Sequence, residues 1–311
     1  MHQRLAFAAL AAVLIIAAAG TPAQAQTRLF VAAQGSDSNP CTFALPCRTF
    51  QHAHDSVAAG GEIDVLDPAG YGSVTINKAI SIRGHGYAGI SVASGANGVT
   101  INAGPNDAVH VHGLLIDGSG VGAHGIKFNS GGSLTVENCV VRGMGSGEGI
   151  LLAPSGPASF FLADTEVAKN FGRGITLQPT GAVTITATLN RMHLHDNASS
   201  GFAVGGDTST GTINAIVNDS VSSAGNAGYF VVSDTGKAVT NLMVFRSVSA
   251  NNNTGLLSQN PNATLRVSQS ALTENNNGWL AVSGGTLLSA GDNTIEGNTS
   301  NETAPPTYTR K

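Results

Sequence analysis

Glycine followed by a large apolar residue recurs along this chain at a near-constant distance. The pairs are Gly98-Val99, Gly125-Ile126, Gly149-Ile150, Gly174-Ile175, Gly201-Phe202, Gly228-Tyr229, Gly255-Leu256 and Gly278-Trp279, at steps of 27, 24, 25, 27, 27, 27 and 23 residues. Gly72 is a candidate start of the series. Such a period marks a stacked array. Two residues after each apolar residue comes a second, usually apolar one: Ile101, Phe128, Leu152, Leu177, Val204, Val231, Ser258 and Ala281. That alternation predicts a strand. A second short strand precedes each glycine, as in "NCVVRG" and "NRMHLHDN", and a third run, such as "VTITATL" or "VTNLMVF", precedes that. No helix fits within a repeat. Propeller blades need ~40–45 residues, and the leucine spacing of leucine-rich repeats is missing. The pattern therefore predicts an all-β, single-stranded parallel β-helix of eight or nine coils.

A β-helix must bend at the same place on every coil. Asn170, Asn197, Asn226, Asn251 to Asn253 and Asn275 to Asn277 fall at one such bend. Asparagine tolerates the left-handed conformation and bonds its own backbone, and stacked asparagines can form a ladder. Glycine is expected to add positive-φ freedom. Phe202, Tyr229 and Trp279 are expected to stack in the core. Phe230, Leu257 and Leu280 should face outward as an apolar column, against a loop, the C-terminal segment or another subunit.

Composition then places the chain. Arg4, the uncharged run to Gly20 and Ala23-Gln24-Ala25 read as a cleaved secretory signal over residues 1–25, so a secreted or periplasmic location is expected, with no membrane attachment afterwards. The remainder would carry 14 basic and 19 acidic residues with no basic block, which argues against nucleic-acid binding. Cys41 and Cys47 in "NPCTFALPCRTF" read as a disulfide-closed loop in an exported protein. Cys139, within "LTVENCVVRG", reads as a buried small hydrophobe.

The start of the chain adds a resemblance. "FVAAQGSDSNPCTFALPCRTFQHAHDSV", followed by "GGEIDVLDPAGYGSVTINKAISIRG", resembles the entry segment of right-handed parallel β-helix proteins of the pectate lyase-like superfamily. The resemblance implies right-handed coils and a short N-terminal capping helix. Thr49 would be its N-cap, with Phe50, Ala53 and Val57 on one face. The expected layout is a signal over 1–25, a cap over 26–60, the β-helix over 61–297 and a flexible tail over 298–311. The superfamily contains lyases, hydrolases, epimerases and proteins without activity, so the fold leaves function open.

The strand before each glycine carries the candidate chemistry. Ile116, Val141, Val167, Leu194, Val221 and Val248 are taken as equivalent inward residues. Asp117 then neighbours Arg142, and Glu166 neighbours His193, with His195 two residues on. His124, Glu148 and Arg173, each just before a glycine, form another ladder. A glutamate beside a histidine can do acid–base work near neutral pH, and an arginine can hold a sugar carboxylate. Catalytic candidates are Arg142, Glu166, His193 and His195; binding candidates are Asp117, His124, Glu148 and Arg173. The competing reading is ordinary cross-strand charge pairing.

The superfamily's enzyme signatures are poorly met. No column carries two adjacent carboxylates, Gly84-His85-Gly86 reads as a turn, and Asp164 with Glu166 is the nearest carboxylate pair. No metal and no cofactor is expected. Two functions follow: an exported β-helix binding a polysaccharide or cell-surface partner without turnover, or a polysaccharide lyase-like enzyme acting on a uronate-containing glycan.

Overall fold

The computed structural model describes residues 27–309; the signal expected over residues 1–25 lies outside them. Each coil has three strands, and side chains alternate between lumen and exterior along each. Face 1 contains Ser133–Glu137, Ala158–Ala163 and Thr184–Asn190. Face 2 contains Val140–Met144, Glu166–Ala168 and His193–His195. Face 3 contains Ile150–Leu152, Ile175–Leu177 and Ser200–Gly205, and is a nine-stranded parallel sheet, one strand per coil. In the early coils, Ile80–Ser91 and Ala108–Gly122 run through the corner and serve faces 1 and 2 together. Among the described residues no helix is long and apolar enough to cross a membrane.

The apolar column after each glycine fills the lumen. Ile126, Ile150, Ile175, Phe202, Tyr229 and Leu256 are each 0% exposed, so Phe202 and Tyr229 are core residues. Trp279, in the last coil of the column, is only partly buried. The column starts at Val74, which pairs with Val99, so Ser73 and not Gly72 occupies the first glycine position.

The glycines serve a purpose other than the expected one. None of the eight has positive φ. A Cβ at Gly125 would stand 2.2 Å from Val141 Cγ1, at Gly149 2.4 Å from Val167 Cγ1, and at Gly201 2.0 Å from Ser222 Oγ. The inward residue of face 2 presses on the start of face 3, and only glycine lets the chain pass.

The asparagine bend is also refined. The left-handed residues at this corner are Lys169, Asp196, Ala224, Asn251 and Glu274. The following residue turns inward and builds the ladder. Asn170 Nδ2 donates to Asn197 Oδ1 at 2.8 Å, Asn252 Nδ2 to Asn275 Oδ1 at 3.1 Å, and Asn275 Nδ2 to Asn298 Oδ1 at 2.9 Å. Gly225 interrupts the ladder, and its N–H donates to Asn252 Oδ1. The opposite corner carries a hydroxyl column: Met192, Ser220 and Ser247 N–H groups donate in turn to the Oγ of Ser220, Ser247 and Ser270. Cys139 stands in line with it, accepting from Leu114 N–H and donating no disulfide; it is buried and free, and burial pushes its thiol up to about 11.

Both ends are closed. The helix Phe50–Ser56 is capped by Thr49 Oγ1, which accepts from His52 N–H. Phe50 and Ala53 are fully buried, with Val57 close behind, and Cys41 and Cys47 are bonded. At the other end, residues read as a flexible tail pair with the last coil. Ser300 bridges to Asn277, Trp279 Nε1 donates to Thr303 O, and Tyr308 N–H donates to Ser289 O.

Candidate functional site

The predicted charges lie on faces 2 and 3. Arg142 Nε is 3.0 Å from Asp117 Oδ2, and Asp117 is further held by Ser119 N–H. Burial acts first to raise the Asp117 carboxyl, but these hydrogen bonds outweigh it and hold it below the usual range. Glu166 and His193 are register partners, yet the Glu166 carboxylate meets His195, at 3.4 Å, and His195 Nδ1 lies 2.9 Å from Asp196. Asp164 is not on a strand face: it is a left-handed corner residue paired with Arg191 at 2.5 Å.

The alignment beyond residue 200 is off by one. Leu194 pairs with Ser222, and Ser222 with Ser249. These serines point inward and are 1% exposed, while Val221 is 38% exposed. A one-residue slip exchanges the two faces of a strand. The reason is volume: Phe202 and Tyr229 replace isoleucine across the lumen, so the opposing column shrinks to serine in a close-packed interior.

On face 3, His124 Nδ1 is 3.1 Å from Glu148 Oε2. The hydrogen bond from His124 chiefly holds the Glu148 carboxyl below the usual range, with burial opposing. Its stabilisation is complete above the unfolded carboxylate value of about 4.3 and is lost as pH falls through the lower folded value. Replacing His124 with Ala should therefore flatten the fall in urea-unfolding stability between about pH 5 and pH 3. An unchanged slope would show that the contact does not stabilise the fold. Arg173 forms no such pair; its guanidinium lies 5.9 Å from the Phe230 ring centroid.

A further group of ionisable side chains lies outside the candidate set, although Glu62 and Asp64 within it already read as a carboxylate pair near the cap. It lies on face 1 of the first coils, around a groove of about 390 Å³ lined by Ser81, Ile82, Arg83, His110, His112 and Glu137. Register explains the convergence. Glu62, Ser81, His110 and Thr135 form one outward column; Asp64, Arg83, His112 and Glu137 form the next. Arg83 bonds Glu62 at 2.5 Å, and Arg28 bridges Glu62 and Asp64. Gly84-His85-Gly86 is a turn, with both His85 and Gly86 at positive φ, and it carries His85 Nε2 to Asp64 Oδ1 at 2.5 Å. Burial acts first to raise the Asp64 carboxyl, but hydrogen bonds from His85 and Arg28 hold it low. Tyr87 stacks on His85 and is 40% exposed. Glu62-x-Asp64 and His110-x-His112 were the sequence signal, since residues two apart share a strand face.

Only one group of three potential metal ligands converges among the described residues: Cys41, Cys47 and His52, two of whose sulfurs are in the disulfide.

A family profile described as "Right handed beta helix region" matches residues 124–300. The chain belongs to the right-handed β-helix family. No curated protein matches it. Among solved structures it is similar to the crystal structure of pectate lyase Pel9A, at 16% identity, covering 92% of this chain and 79% of that one with a TM-score of 0.63. It is also similar to the A-module of the Azotobacter vinelandii mannuronan C-5 epimerase AlgE4, at 11% identity, covering 91% and 89% with a TM-score of 0.50. At these identities the likeness is one of fold, and the right-handed β-helix here carries its own set of surface side chains.

Proposed function

We propose that this right-handed β-helix protein is exported and binds a polysaccharide, free or on a cell surface, in the face 1 groove without turning it over. The observation that carries this reading is the groove's composition. Among its lining residues Arg83, His110 and His112 supply donors and Glu137 an acceptor, and the adjoining Arg28–Glu62–Asp64–His85 network, to which Arg83 is bonded through Glu62, leaves no excess of positive charge. Such a surface matches sugar hydroxyls, which donate and accept in equal measure, better than a chain of carboxylates. Tyr87 presents a ring beside it for the apolar face of a sugar.

The test is binding of protein from Gln26 onward to a panel of neutral and acidic polysaccharides, with product analysis. The expected result is saturable binding to a neutral glycan, weakened about tenfold by His112→Ala or Arg83→Ala through loss of a hydrogen bond to a charged or polar group. Binding unchanged in both variants would overturn the site.

One observation favours a second reading, a lyase-like enzyme on a uronate glycan. His110 and Glu137 face the groove without a side-chain hydrogen bond or ion pair among the described residues, so an acid and a base stand unengaged. Ultraviolet absorbance from unsaturated uronate ends, abolished by His110→Ala, would establish it.

A further inference from the structure

A second site is built into face 3, on a different side of the coil from the groove. Its outward columns run Thr176, Ala203, Phe230 and, two residues further along the strands, Gln178, Gly205, Val232. Ala203 and Gly205 are the smallest members of their rows. They leave a cavity of about 100 Å³ between the coil of Thr176 and the coil of Phe230, several times what a single water needs. Arg173 lies along one side of it, reaching the Phe230 ring two coils away, and Asp207 stands at the rim.

Two facts mark this cavity out. Among the described residues, two buried side-chain polar atoms have no hydrogen-bond partner: Arg173 Nε and Thr176 Oγ1. Both residues line this one cavity, and Thr176 is only 2% exposed. Native proteins satisfy buried polar groups, so an orphaned pair calls for an occupant. Moreover, every other described arginine has a carboxylate, carbonyl or amide partner: Arg28, Arg48, Arg83, Arg142, Arg191, Arg246 and Arg266. Arg173 has none: it acts on Glu148 only through charge, and that carboxylate is paired with His124.

We infer that the cavity is a binding site for a carboxylate. The Arg173 Nε–H and the Thr176 hydroxyl would donate to the two oxygens, and the charge would be matched by the guanidinium. Gln178 supplies an amide beside them. Asp207, which already accepts from Asp234 N–H, stands where a hydroxyl attached to the acid would donate. A planar monoanion fits this arrangement better than a phosphate, whose second charge would face Asp207. The carboxylate can come from a small free acid or from an acidic sugar.

The test follows the Arg173 side-chain Nε–H resonance in 15N-labelled protein, assigned as the peak missing from Arg173→Lys. Sodium acetate, D-glucuronate and inorganic phosphate are titrated at constant ionic strength, with glucose as the neutral control. Acetate or glucuronate should shift the peak saturably. Binding about tenfold tighter for glucuronate would assign the site to an acidic sugar, and equal binding to a small free acid. Thr176→Val should weaken binding about tenfold, the worth of one hydrogen bond to a charged group, while preserving stability because it removes an orphaned hydroxyl. Gly205→Val should abolish binding by filling the cavity. A Cβ there meets Gln178 Cγ at 3.6 Å, an ordinary contact, and an unchanged melting temperature of the variant checks that the fold is kept. His112→Ala, in the face 1 groove, should leave the shift intact, which separates this site from the other. A shift that fails to saturate, that phosphate produces more tightly, or that survives Gly205→Val would overturn the inference.

Discussion

Gly149→Ala is expected to destabilise the protein by about 3 kcal/mol, the upper part of the range for an overpacked core. The added methyl would stand 2.4 Å from Val167 Cγ1, 2.8 Å from Asn170 Nδ2 and 2.8 Å from Gly174 O. The valine belongs to the core, the amide to the asparagine ladder and the carbonyl to the next coil's ladder of backbone bonds. None can retreat without disturbing the coil beyond it, so strain is shared rather than relieved. For a chain of this size such a loss lowers the melting temperature by about 5 °C. Calorimetry checks it, with Gly205→Ala as the control. Both sites lose a glycine from face 3, but the Gly205 neighbours begin at 3.6 Å. Equal melting temperatures for the two variants would show that close approach is not what keeps glycine before each apolar residue.

Asn252→Ala should cost a similar amount for a different reason. Asn252 is 3% exposed. Its Oδ1 accepts from Gly225 N–H at 3.0 Å, and its Nδ2 reaches Asn275 Oδ1 and Ser222 O at 3.1 and 3.2 Å. Alanine would take the acceptor from Gly225 N–H and a donor from Ser222 O, at about 1–3 kcal/mol for each group that water cannot reach, while Asn275 Oδ1 would keep only the Asn252 backbone N–H. The neighbour Asn253 is the contrast. It is exposed and bonds Asn226 on the surface, so Asn253→Ala should cost less than about 0.5 kcal/mol. Urea unfolding with amide exchange across the flanking coils would measure both. Similar costs for the two asparagines would mean that the ladder contributes no more than a surface contact.

These two positions also show what is legible in a repeat. "NNN" before an apolar step announces a bend, because asparagine is suited to turns and stacking. Which of the three turns inward is decided by the coil. Asn251 takes the left-handed conformation and hands Asn252 to the ladder.

The sequence by itself determined the architecture. The step of 23 to 27 residues, the period-two alternation and three short runs per repeat admit a parallel β-helix and exclude helices and propeller blades. The Cys41–Cys47 loop was readable because a short loop is local; the capping helix came from the resemblance of the entry segment, to which Thr49 added a local N-cap signal.

Only the tertiary structure decided the rest. The slip at Ser222 and Ser249 depends on the volume of rings across the lumen, which no single strand encodes. Glu166 chooses His195 over His193 through side-chain geometry that register alone leaves open. The face 1 groove joins residues from Arg28 to Glu137, brought together by stacking at ~4.8 Å per coil. The orphaned Arg173 and Thr176 become visible only once Ala203 and Gly205 are known to leave space between two coils. A solenoid's period is a property of the chain, whereas its sites belong to the stack: neighbours on the surface are about one coil apart in sequence, and small residues open a cavity only where larger ones flank them.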